Sequence, residues 1–277
     1  MSNKVEQATY SHGHHPSVIS THARRTAADS AAFLLPHLAP HNRILDLGCG
    51  PGTITADLAT YVPDGSIIGI DAVESILAQA RSLASSRNLS NITFQTGDAN
   101  NLPFKDGEFD VVYCHQLLQH VKDPVGVLRE MRRVCKSGGI VAAREADYSS
   151  FAWFPEPTGG EFRDWINMYQ RVARANGGEP NAGRHMPLWT RLAGWSSEQV
   201  TMSWSSWCFT KEKARSWADS WVGRAVHSDM AKSWVSMGFG REEELVKISE
   251  AWRKWGDGGY GEDLIMVVGN GEVICRC

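Results

Sequence analysis

Apolar runs alternate with helical stretches over residues 43–143, and this alternation predicts a parallel β-sheet. Apolar side chains dominate the predicted strands Arg43–Leu47, Ser66–Ile70, Asn91–Gln95, Phe109–Cys114 and Gly139–Ala143. Between them, apolar positions three or four residues apart predict helices over Ile54–Tyr61, Val73–Arg87 and Pro124–Val134. Strands separated by helices form crossover units, so the pattern predicts a doubly wound α/β sheet with helices on both faces.

The rhythm changes after Glu145. Residues 200–209 alternate between apolar and polar, which is typical of a half-buried strand. Helices are predicted over Glu161–Asn176, Met186–Leu192, Lys211–Arg224 and Arg241–Trp255, and strand-like runs over Asp263–Val268 and Glu272–Cys275. We therefore expect a mostly parallel, seven-stranded sheet with a helical insertion, a potential lid, before its last strand.

The two ends of the chain complete the predicted organisation. Residues 1–16 are polar and form an arm, and a helix is expected from Pro16 to Pro36. The predicted segments are 1–40 as the arm and helix, 41–147 as a ligand-binding core, 148–210 as remaining core facing the substrate, 211–260 as the helical lid, and 261–277 as the last strand.

Charge and composition exclude several classes of protein. Lys and Arg number 28 against 31 Asp and Glu in 277 residues, for a formal net charge of −3, so a nucleic-acid partner is not expected. No apolar run is long enough for a membrane span, and the N-terminus lacks the apolar region of a secretory signal. Six scattered cysteines indicate reduced thiols and a cytoplasmic protein.

Glycines follow the first predicted strand in the run Ile44-Leu-Asp-Leu-Gly-Cys-Gly-Pro-Gly52. Gly48, Gly50 and Gly52 allow a tight strand-to-helix turn and a close approach of the backbone to a ligand. The spacing departs from the usual dinucleotide fingerprint, because Thr53 stands where its third glycine would be. Asp46, directly before the glycines, suits a cationic amino-acid group better than a pyrophosphate.

Polar residues also follow the next three predicted strands. Asp71 can accept hydrogen bonds from ribose hydroxyls or cap the following helix. Asp98 can read the edge of an adenine or form an Asx turn. His115 and His120 follow the fourth strand and can act chemically or in packing. Since the carboxyl ends of parallel strands share one edge of a sheet, the sequence predicts a nucleoside ligand across this edge.

These motifs resemble those of class I S-adenosylmethionine-dependent methyltransferases, which have a Rossmann-like fold. The runs Leu-Asp-Leu-Gly-Cys-Gly-Pro-Gly, Gly-Ile-Asp, Gly-Asp-Ala-x-x-Leu-Pro-Phe and Phe-Asp-Val-Val are similar to those of the ubiquinone/menaquinone-biosynthesis type, over residues 40–147. More loosely, the Ser-His-Gly-His-His-Pro arm and the Trp-rich region resemble fungal secondary-metabolite members, including gliotoxin-type bis-thiomethyltransferases.

The resemblance implies S-adenosyl-L-methionine as the cofactor and assigns roles to matching positions. Gly48, Gly50 and Gly52 would line its methionine half, with Asp46 near the ammonium, and Asp71 would bind the ribose. Cys49 and Ala72 would also belong to the cofactor site; the small side chain of Cys49 would pack the turn, without a redox role. Asp98 and Ala99 would bind the adenine, His115 and Gln116 would contact the methionine moiety or lie beside the methyl group, and Tyr10 and the arm would close over the cofactor.

Tryptophan is confined to the second half of the chain, since all 11 Trp lie between Trp153 and Trp255. Most are expected to pack the helices onto the sheet. The aromatic residues from segments expected to face the methyl group are Trp153, Phe154, Trp207, Trp217 and Trp221, and Trp153 and Phe154 are the predicted substrate contacts. Flat aromatic walls suit a flat apolar substrate.

The acceptor decides whether a general base is needed. A thiol is partly ionised at neutral pH, whereas a phenol or a carbon acid requires a positioned base. The candidates His115, His120, His185 and His227 are not distinguished by spacing, which favours methylation of the thiols of a small dithiol metabolite. The alternatives are O- or C-methylation of a quinone or phenol, and an S-adenosylmethionine-binding protein that transfers no methyl group.

Two further expectations concern metals and assembly. The chain has no paired Cys-x-x-Cys motif, and His12, His14 and His15 lie in the polar arm, so no metal site is predicted. A monomer is expected.

Overall fold

The computed structural model describes residues 24–259 and 261–277. Its centre is an eight-stranded sheet. The strands are β1 (Arg43–Leu47), β2 (Ser66–Asp71), β3 (Ile92–Thr96), β4 (Phe109–His115), β5 (Cys135–Ala146), β6 (Ala152–Phe154), β7 (Val200–Thr210) and β8 (Ile265–Arg276). Strands β3, β2, β1, β4 and β5 are parallel neighbours in that order, and β8 runs antiparallel beside β5.

The helices, labelled among the described residues, are α1 (Ala27–Ser30), α2 (Thr53–Tyr61), α3 (Glu74–Ser86), α4 (Pro124–Val134), α5 (Glu161–Ala175), α6 (Ala182–Leu192), α7 (Lys211–His227), α8 (Asp229–Ser236) and α9 (Glu242–Asp257). Side chains from α4 and α6 share a core with one face of the sheet, and side chains from α1, α2 and α3 share a core with the other. Helices thus cover both faces, which confirms the predicted doubly wound α/β fold.

The second half of the chain departs from the predicted strand count. Strand β8 pairs with β7 over its length, from Ile265 opposite Thr210 to Cys275 opposite Val200. The two predicted C-terminal strands are therefore one continuous strand. Gly269 and Gly271 permit this, because a Cβ there would lie 2.5 Å from Trp204 Nε1 and 2.2 Å from the Gly183 carbonyl oxygen. The eighth strand is β6, which is only three residues long and pairs with the first part of β8.

Two helical predictions also need correction. The described part of the expected Pro16–Pro36 helix contains only the four residues of α1 and the start of a 3₁₀ turn at Leu35–His37. Thr26 caps α1 and Asp29 completes the capping box, so local polar hydrogen bonds set this short helix. Helix α8 was not predicted, because residues 229–236 were assigned to no element.

An aromatic core joins α5, α7, α8 and α9 to the beginning of β8. Trp165, Trp221 and Trp252 are fully buried there, and Trp165 meets the other two rings edge-to-face at 4.8 and 5.0 Å between centroids. Such pairs are favoured by the ring quadrupoles. This core includes Ala146 and Met266 of the sheet, so the helices lie over the carboxyl end of β5. The predicted lid role of residues 211–260 stays a prediction.

Candidate functional site

The glycine loop between β1 and α2 turns tightly beside the end of β2. Gly48, Gly50 and Gly52 have φ angles of 69°, 53° and 75°, a left-handed conformation that favours glycine. The backbone amides of Gly48 and Cys49 donate to the Ile70 carbonyl oxygen at 2.8 and 3.0 Å. The loop is therefore held to β2 by its own backbone, as a close approach to a ligand requires.

The space around the three glycines differs. A Cβ on Gly52 would lie 2.7 Å from Ala80 Cβ and 3.0 Å from Phe94, so this glycine is required for packing of the helix against its neighbours. A Cβ on Gly50 would meet nothing within 4 Å. The backbone of Gly50 thus faces open space, where a ligand can approach it.

Cys49 is a packing residue of this loop. Its Sγ would lie 3.0 Å from a Cβ at position 69, and burial raises the pKa of its thiol, with the carboxylates of Asp46 and Asp71 adding to the effect. The thiol stays protonated at neutral pH, in agreement with the absence of an assigned redox role.

Asp71, at the end of β2, is fixed by backbone amides. Its Oδ2 accepts from Gly50 N and its Oδ1 from Val73 N, both at 3.0 Å. Each carboxylate oxygen has a second lone pair, so Asp71 can accept two further hydrogen bonds while held in one orientation. Asp71 is not the cap of the following helix, because Val73, which has no capping side chain, is the N-cap of α3. The Asp71 carboxylate lies beside the glycine loop, and its ribose role stays a prediction. Ala72, next in the chain, is exposed.

Asp46 lies deeper, at the end of β1. It is 3% exposed and accepts from Thr55 Oγ1 at 2.6 Å. Burial raises the pKa of Asp46 from 3.8 to about 7, the Thr55 hydrogen bond lowers it, and the nearby Asp71 carboxylate raises it further. A cation bound here would favour the ionised form, so the site is suited to an ammonium group.

Asp98 forms the local turn that the sequence allowed. Its Oδ1 accepts from the backbone and side-chain nitrogens of Asn100, at 2.9 and 3.0 Å. Gly97 N donates to the Asp71 carbonyl oxygen, which ties this turn to the end of β2. Ala99 packs against the apolar core. The turn uses only Oδ1 among the described residues, which leaves Oδ2 of Asp98 as an acceptor for an adenine edge.

The chain after β4 is held by a buried carboxylate. Glu145 Oε1 accepts from the amides of Leu117 and Leu118 at 2.9 and 2.8 Å, and Oε2 accepts from Gln119 N at 3.2 Å. Gln116 has a φ of 51°, and its backbone N–H donates to the Arg144 carbonyl oxygen at 2.8 Å. A strained non-glycine residue fixed in this way is typical of a functional site.

The parallel register brings the predicted cofactor residues to one edge of the sheet. Asp46, the glycine loop, Asp71, Asp98, His115 and Gln116 all follow or end strands β1 to β4. Tyr10 lies outside the described residues. Trp153 packs instead in the aromatic core, with Phe151 at 5.6 Å and Phe162 at 5.2 Å between centroids, while the side chain of Phe154 is half exposed.

Among the other aromatic candidates, Trp207 of β7 lies nearest this edge. Its ring centroid is 5.6 Å from that of His115. Trp221 is buried among the helices, and Trp217 contacts Phe209. The predicted substrate contacts Trp153 and Phe154 stay predictions.

A group of polar residues beside His115 was missed by the sequence analysis; His115, Arg144, Asn270 and Glu272 are buried, Ser205 is half-buried and Ser203 is exposed. We call this group the polar belt; it separates the two apolar cores on one sheet face and comprises His115, Arg144, Ser203, Ser205, Asn270 and Glu272. Arg144 is 1% exposed and pairs with Glu272 at 3.0 Å. The one available signal was Arg144-Glu145, two charged residues that directly follow the apolar run Ile140–Ala143.

The candidate histidines are not placed as bases. His115 Nε2 lies 3.2 Å from Arg144 Nη1, and because a guanidinium only donates, Nε2 accepts. Burial lowers the pKa of His120 to about 3, with the Arg25 charge adding to the effect. His185 Nδ1 lies 3.0 Å from the Asn181 carbonyl oxygen, on α6, and His227 is exposed at the end of α7.

Within the described residues, no group of three or more His, Cys, Asp and Glu side chains is arranged to hold a metal ion. Over the same residues, no helix has the length and apolarity needed to cross a membrane.

Comparisons with known proteins extend this picture. A family model described as a methyltransferase domain matches residues 38–217. Over 271 residues the chain is 34% identical to an uncharacterized methyltransferase of Schizosaccharomyces pombe, covering 94% of this chain and 95% of the relative. It is 30% identical over 274 residues to a probable methyltransferase of Aspergillus luteorubrus, with coverages of 93% and 94%.

A demethylmenaquinone methyltransferase of Lactococcus lactis is 42% identical over a shorter stretch of 106 residues, which is 38% of this chain and 42% of that protein. Among solved structures, the YcgJ protein of Bacillus subtilis has a TM-score of 0.55 at 18% identity, covering 90% of this chain and 99% of its own. The [4+2]-cyclase SpnF has a TM-score of 0.53 at 20% identity, with coverages of 92% and 84%. These structures show the fold alone.

Proposed function

Because the chain belongs to the methyltransferase-domain family, we propose that it methylates the thiols of a small, reduced dithiol metabolite. It is an S-adenosylmethionine-dependent methyltransferase of small molecules. The cofactor supplies a methyl group on a positively charged sulfur, so the transfer is a displacement at carbon in which the leaving thioether needs no acid.

The residues at the sheet edge fit this cofactor. The open space at Gly50 can receive the methionine half of the cofactor, which would contact the backbone there. The buried Asp46 carboxyl suits the ammonium group of the cofactor. Asp71 offers acceptors that ribose hydroxyls require, and Asp98 with Ala99 lies where an adenine would follow. Gln116 and His115 would lie toward the methionine end. These assignments combine the family resemblance with the geometry of the described residues.

One observation favours a thiol acceptor: among the candidate histidines in the described part of the chain, neither His115 nor His120 is placed to remove a proton. Arg144 donates a hydrogen bond to His115 Nε2, so this nitrogen cannot accept a proton from a substrate. Burial lowers the pKa of His120 to about 3, which is too low for a base at neutral pH. His185 and His227 lie on α6 and at the end of α7. An acceptor that ionises by itself near neutral pH fits such a site better than a phenol or a carbon acid.

In the proposed reaction the protein acts through orientation and exclusion of water. The glycine loop holds the methionine half of the cofactor, Asp71 holds its ribose, and Glu145 holds the turn that carries Gln116. The helices α5, α7 and α9 cover the carboxyl end of β5 with aromatic side chains, which excludes water from that side. Positioning and desolvation of this kind can supply most of the rate of a displacement.

The similarity over nearly the whole chain to two fungal proteins supports a search for the acceptor among fungal metabolites, gliotoxin-type dithiols included. Six free cysteines support the expectation of a reducing, cytoplasmic location. A monomer also stays part of the proposal.

C- or O-methylation of a quinone or phenol is a second candidate. It is favoured by the identity of 42% to the demethylmenaquinone methyltransferase, although the match covers only 38% of the chain. A third candidate, a protein that uses the fold without transferring a methyl group, is represented among proteins of this fold by the cyclase SpnF.

Labelled methyl transfer separates the three candidates. The purified protein is incubated with S-adenosylmethionine labelled in its methyl group and a panel of dithiols, catechols and quinones, and mass spectrometry locates the label. We expect label on sulfur, with one or two methyl groups counted from the product mass. Label on oxygen or carbon alone would favour the second candidate, and cofactor binding without any transfer the third.

A further inference from the structure

The polar belt contains a cation that is buried in the sheet. Arg144 donates through Nε to Glu272 Oε1 at 3.0 Å, through Nη2 to Ser205 Oγ at 3.2 Å, and through Nη1 to His115 Nε2 at 3.2 Å. Burial lowers the pKa of Arg144, but the Glu272 carboxylate opposes this and the guanidinium remains charged. A buried charge is costly, so its retention beside the catalytic edge calls for an explanation.

Arg144 also determines the protonation of His115. Because Nε2 accepts from the guanidinium, the proton of the neutral ring is on Nδ1. His115 is thus a donor at Nδ1, and its Nε2 lone pair is used by the hydrogen bond from Arg144. A proton from an acceptor cannot be taken up at Nε2 while this contact persists.

The carboxylate of the belt is fully engaged. Glu272 Oε2 accepts from Ser203 Oγ at 2.9 Å, and Oε1 accepts from both Arg144 and Ser205 Oγ. Of the belt's groups, Glu272 is the one that could repel an anion, and these donors offset its charge.

A second guanidinium, that of Arg25, lies beside Gln116 and Trp207. Arg25 Nη2 donates to Gln116 Oε1 at 2.7 Å. The guanidinium carbons of Arg25 and Arg144 lie 5.0 and 4.6 Å from the centroid of the Trp207 ring. Both cations are therefore gathered around one indole, which itself contacts His115.

Other charged and titratable groups complete the surroundings. The groups whose charge affects the pKa of Arg144 are Tyr113, Glu272 and Asp29. The charge of Arg25 affects the pKa values of Tyr113, His120, Glu145 and Tyr148. Glu145 is turned toward the amides of residues 117–119. Burial raises the pKa of Tyr113 and lowers that of His120, so both are neutral.

We propose that the methyl acceptor binds as an anion beside the polar belt, with its negative charge paired with the half-buried guanidinium of Arg25 and stabilised through space by that of the buried Arg144. This inference rests on the proposed function and specifies the acceptor as an ionised acid, for example a thiolate. In the step itself, a lone pair of the anion forms the bond to the methyl carbon. The bond from that carbon to the cofactor sulfur breaks with its electron pair going to sulfur, so a neutral thioether and a neutral methylated product result.

Binding of matched probes to the protein saturated with S-adenosylhomocysteine tests the proposal without requiring turnover. Calorimetry compares an anion with its neutral counterpart in two pairs, benzenethiolate with thioanisole and benzoate with benzamide, at a pH where each acid is ionised. We expect the anion of at least one pair to bind about tenfold more tightly, since hydrogen bonds to charged groups are strong.

Arginine variants locate the source of this preference. Arg25→Gln should reduce the anion preference at least about fivefold, and Arg25→Lys, which keeps the charge, should retain part of it. The double variant Arg144→Met with Glu272→Met removes a buried ion pair as a unit, which a fold often tolerates, and should also reduce the preference. Arg24→Gln is the matched control, because Arg24 is exposed and bonds to Ser216.

The outcomes separate this inference from the proposed function. If neither anion is preferred by the unsubstituted protein, or if the preference survives Arg25→Gln and the double variant, the inference is wrong. S-adenosylhomocysteine binding is measured on the same samples. Its absence would contradict the proposed function, whereas intact cofactor binding without an anion preference would contradict only the inference.

Discussion

Asp46 and Asp71 differ in environment although they end neighbouring strands. Asp46 is buried with one side-chain donor, Thr55, whereas Asp71 is half-buried and accepts from two backbone amides. Backbone donors stabilise a carboxylate, and burial destabilises it. The two residues therefore give separate predictions for affinity and for pH dependence.

Replacement of Asp71 tests the ribose assignment. We expect Asp71→Ala to weaken S-adenosylmethionine binding at least about tenfold, because hydrogen bonds to a charged group are lost and the glycine loop loses an anchor. Calorimetry measures the dissociation constant. Asp64→Ala, an exposed aspartate just before β2, serves as the control. An unchanged constant for Asp71→Ala would show that the assignment is wrong.

Asp46 should make cofactor affinity depend on pH. Its pKa of about 7 in the unliganded protein exceeds its ordinary value of 3.8, so the folded state takes up the proton and the contribution of Asp46 to stability falls as pH rises from about 4 to 7. The cofactor's ammonium favours the ionised form. Below pH 7, binding must therefore displace a proton, and affinity should fall by up to about tenfold per pH unit.

Calorimetry between pH 5.5 and 8 in buffers of different ionisation enthalpy would detect that proton release. Asp46→Asn keeps an acceptor for Thr55 but cannot ionise, so its affinity should be weaker at pH 8 and nearly flat with pH. A slope that persists unchanged in Asp46→Asn would assign the proton to another group.

At the scale of elements, the glycine loop combines backbone strain with an open approach. Gly50 and Gly138 both have left-handed φ angles, 53° and 78°, and a Cβ on either meets nothing within 4 Å. Gly138 lies near the start of β5, at the opposite end of the sheet. The two positions are thus a matched pair, equal in strain and different in location.

Alanine at each position should destabilise the protein by a similar amount, about 1–2 kcal/mol, because a left-handed non-glycine residue costs that much. Gly50→Ala should in addition weaken cofactor binding at least about tenfold, since its methyl group enters the open approach. Gly138→Ala should leave binding unchanged. Thermal melting and calorimetry give the two quantities, and equal cofactor affinity in both variants would argue against a backbone approach at Gly50.

At the scale of the whole molecule, one sheet face carries two apolar cores with the polar belt between them. The first core contains Ile44, Val111 and Ala142, and the second packs α5, α7, α8 and α9 against Met266. Burial of charged groups between two apolar cores disfavours folding unless the groups serve binding or pair with one another. The belt therefore marks where the cofactor-binding core meets the helical region.

A metal-free reaction is expected of the whole molecule. The described residues offer no three-ligand cluster, and displacement from a sulfonium needs no Lewis acid. Turnover in a strong chelator should equal turnover in its absence. A loss of activity that added zinc or magnesium restores would overturn this expectation, and would direct attention to His12, His14 and His15 of the arm.

Prediction from the sequence worked best where neighbours along the chain decide the structure. The strands at 43–47, 66–71, 92–96 and 109–115 agree with expectation within a residue or two at each end. The hydrophobic periodicity did not predict β6, because its three residues form a strand only by pairing with β8. It also failed at the C-terminal strand, where Gly269 and Gly271 looked like a break.

The sequence by itself determined the doubly wound sheet and the glycine loop with its aspartates, because hydrophobic periodicity and strand-end position depend on nearby residues. Only the tertiary structure decided that Arg25, Arg144, Trp207 and Glu272 surround His115. These residues lie on segments far apart in the chain, and the pairing of β8 with β5 and β7 brings three of them together. Long-range pairing of this kind leaves no local pattern, so the proposed acceptor side of the site could not be derived from the sequence.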